Sequence, residues 1–333
     1  MVSVVISFLR QQSFVLLLFA AVALALVWPD AVRADNAYWA ELAAHLAVAL
    51  IFFLQGLSLA MRQMLAGALP LRLHFFVLGW NFIFFPALAA LLCAPAVWVL
   101  GQELCVGLWM LSILPTTIAS ATALTVAARG EVAQAIFASI FSNLLGVLLV
   151  PLLAVAYLSS ASGAELPLLP IFEKLAWIVL LPLMVGQCLR RFFREFSVGI
   201  SARTRWLPQL AILYIVYLSF AQTVASGVLE SLSLQQLLGT FLWVALLLLI
   251  ASWMVWKTSS WMQFKADERV SAFFTASQKS IATGLPLLTA TFAAAPLLVD
   301  TGLVLVPLLI YHPLQLLLGG VLVPRFAARG QLN

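Results

Sequence analysis

Residues Thr275–Pro286 read TASQKSIATGLP, placing a lysine, a glutamine, two serines, two threonines, a glycine and a proline within apolar sequence long enough to cross a bilayer. Lys279 follows Arg269 by ten residues. At about 1.5 Å of helical rise per residue that puts it roughly 15 Å deep, half-way through a hydrocarbon core of about 30 Å. A charged side chain at that depth costs about 2.5–3.5 kcal/mol, so an intramembrane cation is read first as a functional group. The plainer alternative is a structural donor that caps backbone carbonyls where helices cross, because no aspartate or glutamate lies at depth in any span.

The rest of the chain supplies the membrane context. Of 333 residues, 64% are apolar and only 9% charged, with a mean hydropathy of +1.11. So few polar residues cannot clothe a soluble globule. The pattern predicts an all-α polytopic membrane protein forming a single domain, with ten spans. They are Phe14–Trp28, Trp39–Leu59, Leu73–Ala94, Cys105–Ala127, Val132–Leu158, Ile171–Leu189, Leu207–Val224, Leu237–Trp256, Val270–Phe292 and Leu297–Val323.

The net charge of +5 reports topology here and not an acidic partner. Arg10, Arg62, Arg72, Arg129, Arg190, Arg191, Arg194, Arg203, Arg205, Lys257, Lys265, Arg269, Arg325 and Arg329 fall at the two ends of the chain and in the even-numbered loops. Only Arg33 and Lys174 fall in the odd ones. That asymmetry predicts both termini in the cytoplasm of an inner membrane crossed ten times, and it leaves no reason to expect nucleic-acid binding. Arg10, the apolar run to Val27 and Val32-Arg33-Ala34 also have the layout of a secretory signal. Its removal would leave nine spans and disturb the charge alternation, so the run is read as a retained span. Cys93, Cys105 and Cys188 are scattered without metal-ligand spacing, which predicts neither a disulfide framework nor a metal centre.

Polar residues cluster in corresponding places of the two halves, 14–158 and 171–323. The fourth span has Pro115 near its middle with Thr116, Thr117, Ser120 and Thr122 strung after it; the ninth has Gln278, Lys279, Ser280 and Thr283 ahead of Gly284 and Pro286. Five spans per half put the second half into the membrane inverted relative to the first, and interrupted helices at matching positions are the best sequence pointer to a transporter's site. Backbone groups freed at such breaks must be satisfied by protein, an ion or cavity water. Helices four and nine are therefore predicted to be broken and to cross. Asn81, ahead of Pro86 in the third span, and Asn143, in the fifth, are amides that either pack helices or coordinate an ion. His312, about 18 Å past Asp300, is either a satisfied core histidine or a proton relay. For the hydroxyls and Gln278, interhelical hydrogen bonding is the alternative to a binding role.

At LPTTIASATALTVAARGE (residues 114–131), IFSNLLGVLLVPLL (140–153) and TASQKSIATGLPLL (275–288) the chain resembles the bile acid:sodium symporter family. The resemblance is closest to its divergent branch of sodium/bile acid cotransporters, found in bacteria and as one vertebrate member. It implies a panel of spans one, two, six and seven moving against a core of the other six by alternating access. It also implies two sodium sites. For the first, Ser120 matches the family's serine, Ala121 stands at its asparagine and Phe274 at its glutamate. For the second, Gln278 matches a glutamine and Asn81 stands at another. A sodium ion here would rest on neutral oxygens from Ser120, Thr122, Gln278 and Asn81, with freed carbonyls. Lys279 stands where many relatives have a neutral residue, and its ammonium is expected to replace a sodium, pairing with an anionic substrate or with carbonyls.

The function expected is secondary active symport of a small organic anion, coupled to sodium or protons. A membrane enzyme is disfavoured by the lack of HExxH, paired intramembrane aspartates, a Ser/His/Asp grouping or a phosphate-cradling loop. A non-transporting sensor or regulator that keeps the transporter fold is the alternative.

Overall fold

In hydrocarbon every backbone amide must find its partner inside its own segment, so the apolar runs have little choice but to be helices. The computed structural model describes residues 13–29, 37–58, 67–162, 168–204, 206–294 and 300–329, and among the described residues there is no strand. Arg10, Arg33, Arg62 and Arg205, the Val32-Arg33-Ala34 site and the first residues of the expected tenth span lie outside them.

In chain order the helices are α1 (Ser13–Val27), α2 (Ala37–Ser58), α3 (Leu71–Leu100), α4 (Gln102–Ser112), α5 (Ile118–Ala127) and α6 (Val132–Ser162). Then come α7 (Leu168–Leu175, continuing to Phe192), α8 (Arg194–Arg203), α9 (Leu207–Ala225), α10 (Leu234–Trp261), α11 (Ala266–Ser277), α12 (Ile281–Ala294) and α13 (Thr301–Arg329). Both α3 and α7 contain a π turn, at Trp80–Phe84 and Ala176–Leu180, each followed within two residues by a proline. Among the described residues, seven helices are long and apolar enough to cross a membrane, and α1 and α5 are shorter apolar helices. The expected fourth and ninth spans are each divided, into α4 with α5 and α11 with α12.

Packing separates the helices into two groups. In the first, α2 lies along α7, and α9 packs on α1 and α2. At the α2–α7 contact the glycines face one another: a Cβ added to Gly56 would lie 3.1 Å from the Gly186 Cα. In the second group α3 packs on α4 and α10, α4 on α13, α10 on α11 and α13, and α5 and α6 on each other and on α11. A Cβ on Gly107 would lie 3.0 Å from the Pro307 ring, so α4 and α13 come together at backbone distance. Helices α9, α7 and α2 border α12, and α9 borders α13, which is where the groups meet.

Candidate functional site

The interruption of the first divided span covers residues 113–117, where Pro115 supplies no N–H to a helix and Thr117 turns extended (φ −78°, ψ 134°) before α5 begins. The second covers 278–280, with Gln278 likewise extended (φ −97°, ψ 140°). Gly284 and Pro286 lie beyond it, inside α12. The two interruptions meet. The Ser280 amide donates to the Pro115 carbonyl at 2.9 Å, and Gly284 brings α12 against the Leu114 side chain.

Lys279 is fully buried at this meeting point. Its ammonium donates to the carbonyl oxygens of Ser112 (2.6 Å), Leu114 (2.9 Å) and Asn81 (3.2 Å) and to Asn81 Oδ1 (3.4 Å), and it lies 4.3 Å from the centre of the Phe85 ring. A cation without a carboxylate is tolerable here for stated reasons. Helix α4 ends at Ser112, so the ammonium sits at the negative end of a helix dipole, and the aromatic face adds a second attraction. The partners of the ammonium are carbonyl oxygens, as both the donor reading and the ion-replacing reading of Lys279 expect.

A third element holds the turn from outside. Gln315 on α13 accepts from the Lys279 amide (2.7 Å) and donates to the Lys279 carbonyl (2.9 Å), while its Nε2 is 2.9 Å from His312 Nδ1. Tyr311 Oη donates to the Ser277 carbonyl at 2.7 Å, satisfying the end of α11. His312 thus reaches the turn through Gln315. Tyr311 and Gln315 are polar residues of the proline-bearing tenth span, but neither is among the expected site residues. Their only signal was a polar residue beside prolines in an apolar helix, one turn apart.

The remaining residues fall into two sets. Ser120 Oγ donates to Gln278 Oε1 at 2.7 Å, joining α5 to the second break, and Ser280 Oγ accepts from the Thr283 amide as a cap to α12. Asn81 Nδ2 donates to Ser142 Oγ (3.1 Å) and the Thr275 carbonyl (3.4 Å); Ser142 Oγ in turn accepts from the Thr116 amide (3.3 Å). Asn143 Nδ2 bonds the carbonyls of Thr116 (2.7 Å) and Ser139 (2.8 Å). Of the four residues expected around a sodium ion, Ser120 and Gln278 are bonded to each other and Asn81 stands with Lys279. Thr122 Oγ1 is buried without a partner among the described residues, as are Thr116 Oγ1, Ser139 Oγ and Asn143 Oδ1. Thr117 is buried at the start of α5. Unpaired buried oxygens beside a helix break are neutral donors of the kind a hard cation accepts.

A model of the SBF-like CPA transporter family matches residues 12–328. The chain belongs to that family. This SBF-like transporter is 35% identical over 282 residues to the sodium/bile acid cotransporter 7 of Danio rerio, covering 84% of this chain and 82% of the relative. It is 33% identical over 291 residues to the protein of the same name in Mus musculus, with 84% and 82% covered. An uncharacterized protein of Pseudomonas aeruginosa is 32% identical over 318 residues, with 96% and 93% covered. The resemblance drawn from the two broken spans is confirmed, and the SBF-like chain is a membrane transporter, not an enzyme.

Proposed function

We propose that this chain is a secondary active symporter of a small organic anion, driven by sodium or protons through alternating access, with its site at the meeting of the two breaks. The single observation that carries the reading is the set of bonds from Lys279 and Ser280 to the carbonyls of residues 112–115, which tie two interrupted helices together at depth. Counting α4 with α5 and α11 with α12 as one crossing each, and adding α1, the seven long helices become ten, arranged as two inverted five-helix repeats. The charge asymmetry favours an orientation with both ends in the cytoplasm, which fits an inner-membrane protein.

An anionic solute is favoured because α5 and α12 both begin at the crossing, and helix N-termini carry positive partial charge and unbonded N–H groups. Coupling to sodium is favoured by the names of the vertebrate relatives and by the unpaired oxygens of Thr116, Thr122, Ser139 and Asn143. Lys279 then acts as a tethered cation: its ammonium occupies carbonyl oxygens that would otherwise require an ion.

The test is counterflow uptake in proteoliposomes with and without a sodium gradient, at two pH values. Solute exchange accelerated by sodium supports symport. Absence of exchange for every organic anion under every gradient removes the reading in favour of a sensor.

A further inference from the structure

We propose that Lys174 and Asp300 form a polar latch across the seam between the two helix groups, closing this conformation on the non-cytoplasmic side; the proposal rests on the transport reading above. Lys174, in the first turns of α7, donates through Nζ to the carbonyl of Ala293 at 2.7 Å. Ala293 is in the last turn of α12, where the free carbonyls and the dipole favour a cation. Asp300 precedes α13 and accepts the Leu303 amide at 3.1 Å, so its carboxylate is fixed as a cap. From α9, Thr223 Oγ1 donates to Asp300 Oδ1 and Ser226 Oγ lies 3.4 Å from Oδ2. The backbone follows suit, since a Cβ on Gly302 would lie 3.0 Å from the Thr223 Cβ.

These bonds share two properties. Apart from the Leu303 cap, each joins α7 or the end of α9 to α12 or to Asp300 at the head of α13, and so crosses from the panel to the core of six spans that the family resemblance implies. Their anchoring residues also lie at one end of the bundle, because α12 ends and α13 begins there. By the charge asymmetry this is the side away from the cytoplasm. At the other end, Arg72 with Glu268 (3.4 Å) joins α3 to α11 inside the second group, and Arg190 with the Leu57 carbonyl joins α7 to α2 inside the first. Rigid groups that rock against each other must break bonds on the seam and can keep bonds within a group. These bonds are only partly buried, so losing one shifts a two-state equilibrium about three- to tenfold.

The experiment uses the full chain in lipid with Cys93, Cys105 and Cys188 replaced and one reporter, Ser219→Cys, buried on α9 one turn beneath Thr223. Labelling by a membrane-impermeant maleimide from the non-cytoplasmic side is compared in the reporter alone and with Lys174→Met, Asp300→Ala or both. The expected result is a labelling rate raised about three- to tenfold by each substitution and further by the pair. Should Asp300→Ala fail to fold, Thr223→Val removes the hydroxyl donor while sparing the helix cap, and carries the test with Lys174→Met. Unchanged rates in folded variants, or a rise seen only from the cytoplasmic side, overturn the latch. The readout needs no transported solute. Exchange activity with unchanged labelling therefore sinks the latch alone, and raised labelling without any exchange sinks the transport reading alone.

Discussion

The Lys279 ammonium lies 2.6 Å from the carbonyl oxygen of Ser112, so a side chain from the second broken span caps the end of the first half-helix of the other. A lysine is suited to this because its point charge carries several donors on a flexible stem, and the carbonyls it meets come from two stretches of chain, Asn81 in α3 and Ser112 with Leu114 at the end of α4. The arrangement ties α3, α4 and the α11–α12 turn into one unit.

In Lys279→Ala the carbonyls of Asn81, Ser112 and Leu114 lose this donor, and a buried unpaired polar group costs about 1–3 kcal/mol. The melting temperature in sodium-free buffer is expected to fall by several degrees, and uptake to be lost or to change its ion dependence. If the ammonium replaces a bound cation, added sodium or methylammonium restores part of the melting temperature. Full transport with unchanged ion dependence would remove the tethered-cation reading.

Gln315→Leu removes two bonds to the Lys279 peptide while roughly keeping volume, for an expected loss of about 2–4 kcal/mol. Thermal unfolding followed by tryptophan fluorescence checks it. A shift no larger than that of a surface substitution would show that the turn holds itself.

Ser120→Ala deletes the donor to Gln278 Oε1, a bond worth about 1 kcal/mol net or roughly fivefold in an equilibrium. The half-saturating sodium concentration for uptake is expected to rise by about that factor with little change in melting. An unaltered sodium dependence would place Ser120 outside the ion path.

Gly146→Ala puts a Cβ 3.0–3.1 Å from the Pro115 ring, at the helix that also bonds Thr116 through Asn143. Overpacking of this kind costs about 1–3 kcal/mol. Gly199→Ala in α8 meets nothing within 4 Å among the described residues and serves as the contrast, with melting temperature in detergent expected to hold or rise slightly from the better helix propensity of alanine.

Much of this was legible from residue types. Pro115 with its following hydroxyls, and the polar run through Lys279, are too costly in an apolar span to be anything but breaks, and breaks they are. The second break falls at 278–280, ahead of Gly284 and Pro286; Pro286 lies inside α12, where its missing N–H costs the helix one backbone bond without ending it. What sequence could not reveal was adjacency. Gln315 and Ser142 read as incidental polar residues until α13 and α6 are seen to run beside the turns they serve. The contrast between Lys174 and the other basic residues was visible only as topology, and its bond to Ala293 depends on where α12 ends.

The paired bonds between Gln315 and the Lys279 peptide have one more consequence. A neighbouring amide grips both the N–H and the C=O of that residue, so the peptide at 279 keeps two anchors on α13 that do not depend on the side chain. Backbone and ammonium are thus held by different helices, the first by α13 and the second by α3 and the end of α4. A substitution at this position removes the second set of bonds and leaves the first in place.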